Sequence, residues 1–396
     1  MSAADRIAVP GLGAAAWFAT IAGLCGSFVA VGLTRFGYAP LIPSLIEAQW
    51  FSSAEVVSLG AASLLGYLAG ALSGRALAAK LGNRLTLRLL MLVVTAAFFA
   101  CAYPLSVAWF FAWRFAAGLS GGAIMVLVAT TILPHIPPAR RGFVSGMIFL
   151  GLGMSIAASG TVIPLLLRIG LSQTWTGLGV LSLVLTAISW FGWPAGNPPP
   201  QPAAPDEIPG DKGGRALHLL YGQYALNALG LVPAMVLLVD YVARGLGRGS
   251  DVGAFYWVLY GVAATIGPVI CGAVGDRIGF RAAYRLSLAL QAMALVALAL
   301  TRDPIALGVA TIVIGGFTPG IVPLVLGRLH ELIPHSHVRQ RAAWSRATIG
   351  FSLFQALAGY GYAALFNHSG ENYALIFACG AGAVILALLG DLLVPR

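Results

Sequence analysis

The sequence predicts an all-α membrane protein in which twelve transmembrane helices form two pseudo-symmetric six-helix bundles. Three observations lead to this fold class: the composition, the number of long apolar runs, and a near-constant offset between matching residues in the two halves. Of the 396 residues, 59% are hydrophobic and only 9% are charged, and the mean hydropathy is +0.88. Charged residues make up about a quarter of a typical soluble domain, so a soluble globular protein is excluded.

The apolar runs set the number of spans, because a run of about 20 apolar residues crosses a bilayer. The first run is too long for a cleaved signal peptide and should remain as the first helix. Twelve such runs occur, at roughly 15–46, 53–78, 85–103, 106–133, 143–167, 174–194, 216–242, 252–273, 282–301, 304–327, 343–366 and 372–394.

The net charge of +10 is distributed as the positive-inside rule describes. If both termini face the cytoplasm, the outer loops hold only Arg168, Arg244, Arg248 and Arg302, whereas most other basic residues lie on the inner side. This asymmetry predicts a multi-pass membrane protein with both termini in the cytoplasm. We interpret the basic residues as a topology signal and as contacts with anionic lipids, and we expect no nucleic-acid partner.

A segment rich in proline and glycine, GNPPPQPAAPDEIPGDKGG, lies near the midpoint of the chain. Its composition is typical of a linker, because it offers too little apolar surface to order itself. We therefore predict an N-terminal six-helix bundle over 1–195, a cytoplasmic linker over 196–214, and a C-terminal six-helix bundle over 215–396.

The two halves resemble each other at an offset of 197 to 200 residues. KLGNR at 80–84 matches DRIGFR at 276–281, and Gly32 matches Gly230. Internal repeats of half the chain length are typical of secondary transporters.

Three motifs resemble those of the major facilitator superfamily. GAVGDRIGFR at 272–281 fits the loop signature G-x-x-x-D-R-x-G-x-R at every fixed position, although the N-terminal copy has Ala79 where the acid belongs. RFAAG at 114–118 resembles the R-x-x-x-G motif of the fourth helix. Residues 35–43 reproduce R-F-x-Y-x-P-L-x-P, the first-helix pattern of the little-characterised bacterial YbfB/YjiJ-like branch. The resemblance covers essentially the whole chain and implies the twelve-helix fold of that superfamily. Since the resembling branch is bacterial, it also implies a location in the bacterial inner membrane.

The resemblance also implies a gate at the cytoplasmic side. In the superfamily, the acid of the loop signature latches against a helix of the opposite half. Asp276 would then latch near the start of the fifth helix, around residues 141–143, and the missing acid at Ala79 predicts a lopsided gate. The alternative is a plain turn between two helices with solvated basic residues. The predicted gating residues are Gly272, Asp276, Arg277, Gly279 and Arg281.

Two arginines lie inside predicted spans. Arg35 and Arg114 each lie about 12–13 Å from the outer end of their helix, at 1.5 Å per residue, and no predicted span carries an acid at that depth. An intramembrane charge predicts a functional site, and a guanidinium is suited to a carboxylate or phosphate. The substrate is therefore expected to supply the negative charge. For Arg114 an alternative is open: packing or gating, by donation to backbone carbonyls.

Other polar residues complete the predicted site. Tyr38 lies one turn outward of Arg35, while Gln223, Tyr224 and Asn227 lie near one face of the seventh helix, where a water-filled cavity would supply partners for the amides. Gln355 is favoured over Gln291 because the eleventh helix lines the cavity in the superfamily.

Three further features are interpreted structurally. Tyr256, Trp257 and Tyr260 are assigned to an aromatic belt at the membrane interface. Pro40 and Pro43 should bend the outer end of the first helix, and GGFTPG at 315–320 should break the tenth. The remaining candidates for metal binding or redox chemistry are assigned to loops and packing: His135, His330, His335, His337, Cys25, Cys101, Cys271 and Cys379.

The sequence thus predicts a monomeric secondary transporter that moves a small organic anion by alternating access, with a proton or sodium ion as a coupling partner. No cofactor, metal or catalytic residue is expected, and no Walker-type phosphate loop is present. One alternative is an efflux pump for amphipathic compounds, although no membrane-embedded acid is visible. Another is a receptor or scaffold, although no sizeable soluble domain is visible.

Overall fold

The computed structural model describes residues 13–137, 140–195, 214–334 and 336–393. The predicted linker lies outside these ranges except for Gly214, which opens a helix, and so do Arg6, Lys212, His335 and Arg396. The described residues contain no β-strand. They form α1 (Ala14–Ser27), α2 (Ile42–Glu47), α3 (Ser53–Leu81), α4 (Asn83–Ala100), α5 (Val107–Ile132), α6 (Arg141–Leu167), α7 (Leu171–Ser189), α8 (Gly214–Asp240), α9 (Ser250–Ile278), α10 (Phe280–Leu300), α11 (Pro304–Leu332), α12 (His337–His368) and α13 (Tyr373–Leu393).

Twelve segments of the described chain are long and apolar enough to cross a membrane, which confirms the predicted number of spans. The first span covers Ala14–Leu33, and each helix from α3 to α13 contributes one more. We call the end of the bundle that holds Ser53, Leu167 and Ser250 the Ser53 end, and the opposite end, with Leu81, Arg141 and Ile278, the Arg141 end. The positive-inside rule predicts that the Arg141 end is cytoplasmic.

Glycines bring α3 against α5 and α9 against α11 at equivalent positions of the two halves. A Cβ on Gly70 would overlap with the carbonyl oxygen of Leu119, and one on Gly267 would overlap with that of Gly316. Gly267 follows Gly70 by 197 residues, and Gly316 follows Gly118, itself packed on a backbone carbonyl of α3, by 198. Glycine permits this approach of two backbones. The repeat seen in the sequence is therefore also a repeat in packing.

The loops that follow α3 and α9 share one backbone conformation. Gly82 has φ 79° and ψ 147°, and Gly279, 197 residues later, has φ 83° and ψ 146°. This region is open essentially to glycine alone. Gly279, a predicted gating residue, is thus required by the turn between α9 and α10.

The first helix is interrupted where Arg35 lies. After α1 the chain forms a π-helix over Phe28–Leu33 and a 3-10 helix over Phe36–Leu41, and only then does α2 begin. Pro40 contributes because it has no backbone N–H to donate. The predicted bend is therefore a change of helix type over two segments, and the carbonyl of Thr34 between them is available to a side chain.

The break predicted at 315–320 is wrong, because α11 is one continuous α-helix that contains Pro319 and Pro323. The neighbouring glycines explain why the helix continues. A Cβ on Gly315 or Gly316 would meet the backbone of α9, so close packing along α9 holds this part of α11 in place.

The two halves contact each other through α6 and α9. Trp257 donates from Nε1 to the Ser159 hydroxyl at 3.0 Å, and Gly153 and Gly160 pack on the backbone of α9. Trp257 and Tyr260 are fully buried, so the prediction that they belong to an interfacial belt is wrong. They are buried because α9 turns this face toward α6 and α11 rather than toward lipid.

The faces of α6 and α9 that contact each other near the Ser53 end do not contact each other toward the Arg141 end. Gly146 lies seven residues before Gly153, and Gly272 lies seven after Thr265, the residue that Gly153 meets. Residues seven apart share a helix face. No heavy atom of the described residues lies within 4 Å of a Cβ placed on Gly146 or Gly272. The helices are therefore in contact from the Ser53 end to the middle and separate beyond it.

Candidate substrate-binding site

Arg35 lies in the middle of the interface between the halves. Its Nη2 approaches the sulfur of Met235 at 3.8 Å, and its Cζ lies 5.3 Å from the ring centroid of Tyr67 and 5.4 Å from that of Phe36. Its Nε is buried without a partner among the described residues. A guanidinium has five N–H donors, so a thioether and two aromatic faces leave most of them unused.

The two buried acids of the described spans are engaged elsewhere. Asp240 is fully buried and accepts two hydrogen bonds from Arg244, while Asp391 pairs with Arg281 and Arg285. None of the ion pairs formed between described residues includes Arg35. An intramembrane charge without a protein counter-ion points to a ligand.

Arg114 has different neighbours, although it lies at a similar predicted depth. Its Nη1 donates to the carbonyl of Thr34 at 2.7 Å, and its Cζ lies 4.1 Å from the ring centroid of Tyr38. Arg114 therefore binds the carbonyl that the interruption of the first helix leaves available. Donation to a backbone carbonyl is the alternative role that the sequence analysis left open for Arg114, and this contact is of that kind.

Tyr38 belongs with Arg114 rather than with Arg35. Its hydroxyl donates to the carbonyl of Val56 in α3 at 2.8 Å, and its ring packs on Trp175. The hydroxyl is thus occupied by the protein in this conformation.

Two side-chain amides of α8 form hydrogen bonds with other helices of the C-terminal half. Gln223 donates to the carbonyl of Ala387 at 3.0 Å, and Asn227 donates to the Gln291 side chain at 2.8 Å. The prediction that a water-filled cavity supplies their partners is wrong in this conformation, because these amides face α10 and α13. Gln291 was set aside on the sequence, yet it is the residue that binds Asn227.

Tyr224 and Gln355 lie closer to Arg35. Tyr224 stacks on Phe351 with ring centroids 4.4 Å apart, and Gln355 places Nε2 3.8 Å from the sulfur of Met235. Arg35 and Gln355, from opposite halves, thus approach the same sulfur atom. Of the predicted binding residues that come from opposite halves, these two are brought together.

The predicted gating residues lie at the Arg141 end. Asp276 and Arg277 are exposed, and Asp276 forms no ion pair with a described residue. Arg281 pairs with Asp391 at 3.7 Å, so this arginine ties α10 to α13. The described residues hold no group of three or more side chains suited to a metal ion.

Tyr67 and Met235 were missed by the sequence analysis. Both lie in long apolar runs, and no spacing marks them, because a sequence does not show which way a buried helix is rotated. The pattern R-F-x-Y did mark the right stretch of the first helix, since its Arg35 and Phe36 both lie at the interface.

Comparisons with known proteins agree with the fold. The profile of the family described as "Uncharacterised MFS-type transporter YbfB" matches residues 27–392. The crystal structure of a D-xylose–proton symporter matches with a TM-score of 0.72 and 16% identity, over 96% of this chain and 97% of that chain. The in meso crystal structure of the POT family transporter PepTSo matches with a TM-score of 0.73 and 12% identity, over 97% and 98%.

A further structure, the partially occluded inward-open conformation of the xylose transporter XylE from E. coli, matches with a TM-score of 0.68 and 14% identity, over 96% of this chain and 99% of that chain. Identities this low show a shared fold and leave the substrate open. The family match covers nearly the whole chain. Together with twelve spans, it shows that this multi-pass membrane protein belongs to the YbfB-type family of major facilitator superfamily transporters.

Proposed function

We propose that the protein is a secondary transporter that moves a small organic anion by alternating access, with Arg35 as the counter-ion of the substrate. The observation that carries this proposal is the position of Arg35: it lies between the two halves, and among the described residues its Nε has no partner and it pairs with no acid. A charge held in this way is costly without a compensating ligand. A carboxylate would accept two of the free N–H groups in parallel.

The side chains near Arg35 favour an anion with an apolar body. Phe36, Tyr67 and Met235 present two aromatic faces and a thioether, and Gln355 adds an amide from the opposite half. Aromatic and methionine side chains bind flat or irregular apolar groups. Gln355 and the hydroxyl of Tyr67, which forms no hydrogen bond with a described residue, would bind polar atoms of that body.

The direction of transport depends on coupling. Moving one negative charge inward against a membrane potential of 100 mV costs about 2.3 kcal/mol. Uptake of an anion therefore requires symport with a proton or sodium ion, whereas export proceeds downhill.

A second candidate function is efflux of amphipathic compounds. The aromatic and methionine lining around Arg35 favours it, since such surfaces accept many ligands. The two candidates differ in what they require of the ligand, because efflux of neutral or cationic compounds needs no negative charge.

A thermal-shift screen with matched ligands tests the proposal. Aromatic and aliphatic monocarboxylates are compared with their primary amides, which have the same shape and no charge. A ligand that binds only the folded state raises the melting temperature by mass action. We expect the carboxylates to raise it and the amides to leave it unchanged. Equal stabilisation by the amides, or stabilisation by hydrophobic cations alone, would favour efflux of amphipathic compounds.

We further propose that closure of the Arg141 end brings the faces of Gly146 and Gly272 together, with Asp276 as a latch near the start of α6. A Cβ at Gly272 meets no described atom within 4 Å in the present conformation, so we expect a leucine there to be tolerated now and to block closure. Gly272→Leu and Asp276→Asn should both increase labelling of Ser145→Cys from the Arg141 side, in a background without native cysteines.

The control for this experiment is Gly308→Leu, because Gly308 also has no neighbour within 4 Å of its Cβ position. It should leave labelling of Ser145→Cys unchanged. Wild-type labelling of the Asp276→Asn variant would remove the latch from the mechanism, and wild-type labelling of Gly272→Leu would remove the closure of α6 on α9.

A further inference from the structure

A second polar site lies inside the N-terminal half, apart from Arg35. A small cavity lies between α4, α5, α7 and the interrupted part of the first helix, and it is lined by Arg114, Trp175, Thr34, Cys101 and apolar side chains. All its lining residues belong to the N-terminal half. Arg35 instead contacts Met235 of the C-terminal half and does not line this cavity, so the two arginines have different neighbours.

Two buried N–H donors at this cavity lack an acceptor. Arg114 is 3% exposed, and its Nε has no partner among the described residues. Trp175 is 1% exposed, and its Nε1 has none either. Buried donors are normally satisfied, and leaving one unpaired is most costly when it is charged. These two donors therefore need an acceptor that the described residues do not supply.

The charge of Arg114 decides which kind of acceptor fits. No described acid pairs with Arg114, and its only hydrogen-bond acceptor in the described chain is the Thr34 carbonyl. Water would satisfy an N–H group and would leave the positive charge uncompensated. A bulky organic anion would not fit, because the space corresponds to about one water-sized molecule.

We propose that this cavity binds a chloride ion, held by Arg114 and by the indole N–H of Trp175. The ion would neutralise Arg114 while its Nη1 remains bonded to the Thr34 carbonyl. Chloride would thereby stabilise the interruption of the first helix that places Arg35 at the interface. This inference does not depend on the proposed substrate, since it concerns another arginine with a different set of neighbours.

The test is the melting temperature of the purified protein as chloride replaces sulfate, which is not a carboxylate, at constant ionic strength. We expect a saturable rise for the wild type and for Arg35→Gln. Trp175→Phe keeps the ring and removes the N–H, and losing one hydrogen bond to a charged ion should raise the chloride concentration at half-saturation about tenfold or more.

The matched control is Trp193→Phe. Trp193 is equally buried and its Nε1 is also without a partner, but it does not line this cavity. It should keep the wild-type response to chloride. A melting temperature that does not depend on chloride would overturn the proposal, and so would a Trp175→Phe variant that saturates at the wild-type chloride concentration.

Discussion

Replacing Arg35 with glutamine is expected to abolish the rise in melting temperature that an anionic ligand gives the wild type. Removing one partner of a buried charge pair costs about 2–5 kcal/mol, which weakens binding by a factor of about thirty or more. The reason lies in the surroundings of Arg35, since its contacts with described residues are a thioether and two aromatic rings and include no second cation. Isothermal titration with the best carboxylate of the screen gives the affinity directly.

For the melting temperature of the ligand-free protein, we do not expect the same substitution to cause a loss. Since Arg35 has no acid partner, its charge does not stabilise the empty protein, and the glutamine variant should melt at or above the wild-type temperature. Arg35→Lys is the matched variant, because it keeps the charge and loses the planar fork, and it should bind with intermediate affinity. Wild-type affinity in Arg35→Gln would exclude Arg35 as the counter-ion.

Replacing Gly70 with alanine is expected to destabilise the fold strongly. The added Cβ would overlap with the carbonyl oxygen of Leu119, which is backbone and cannot rotate away. The two helices must therefore separate, and overpacking of this kind costs about 1–3 kcal/mol or more. The melting temperature in detergent and the yield of monodisperse protein both report this effect.

Two further variants make the experiment specific. Gly267→Ala should destabilise the C-terminal half in the same way, because its Cβ would overlap with the carbonyl oxygen of Gly316. Gly222→Ala lies within α8 and has no neighbour within 4 Å of its Cβ position. It should leave the melting temperature unchanged or raise it slightly, since alanine favours the helix over glycine. A Gly70→Ala variant as stable as Gly222→Ala would contradict the packing described for α3 and α5.

The number of spans and the repeat could be predicted from the sequence for a physical reason. Both depend on composition along the chain: apolar length determines a span, and glycines such as Gly82 and Gly279 occupy backbone conformations that other residues avoid. These signals are local, so one sequence is enough to detect them.

The rotation of each helix could not be predicted in this way. Gln223 and Asn227 were assigned to a cavity because their spacing puts them on one face, yet that face packs on α10 and α13. Trp257 and Tyr260 resembled belt residues by type and depth, and the contact with α6 buries them instead. In an apolar helix, polar periodicity is weak, so the buried face is determined by neighbours distant in sequence.

The separation of α6 and α9 beyond Gly153 makes the two sides of the membrane unequal for an impermeant ligand. In the mechanism we propose, the described conformation is open toward the Arg141 side, so a ligand arriving there can bind it directly, whereas a ligand on the other side must await the opposite conformation. The apparent dissociation constant of a ligand equals its intrinsic value divided by the fraction of protein in the conformation that binds it. In sealed vesicles of defined orientation, an impermeant ligand should therefore inhibit transport at a lower concentration when it is applied to the face that exposes Gly146 and Gly272.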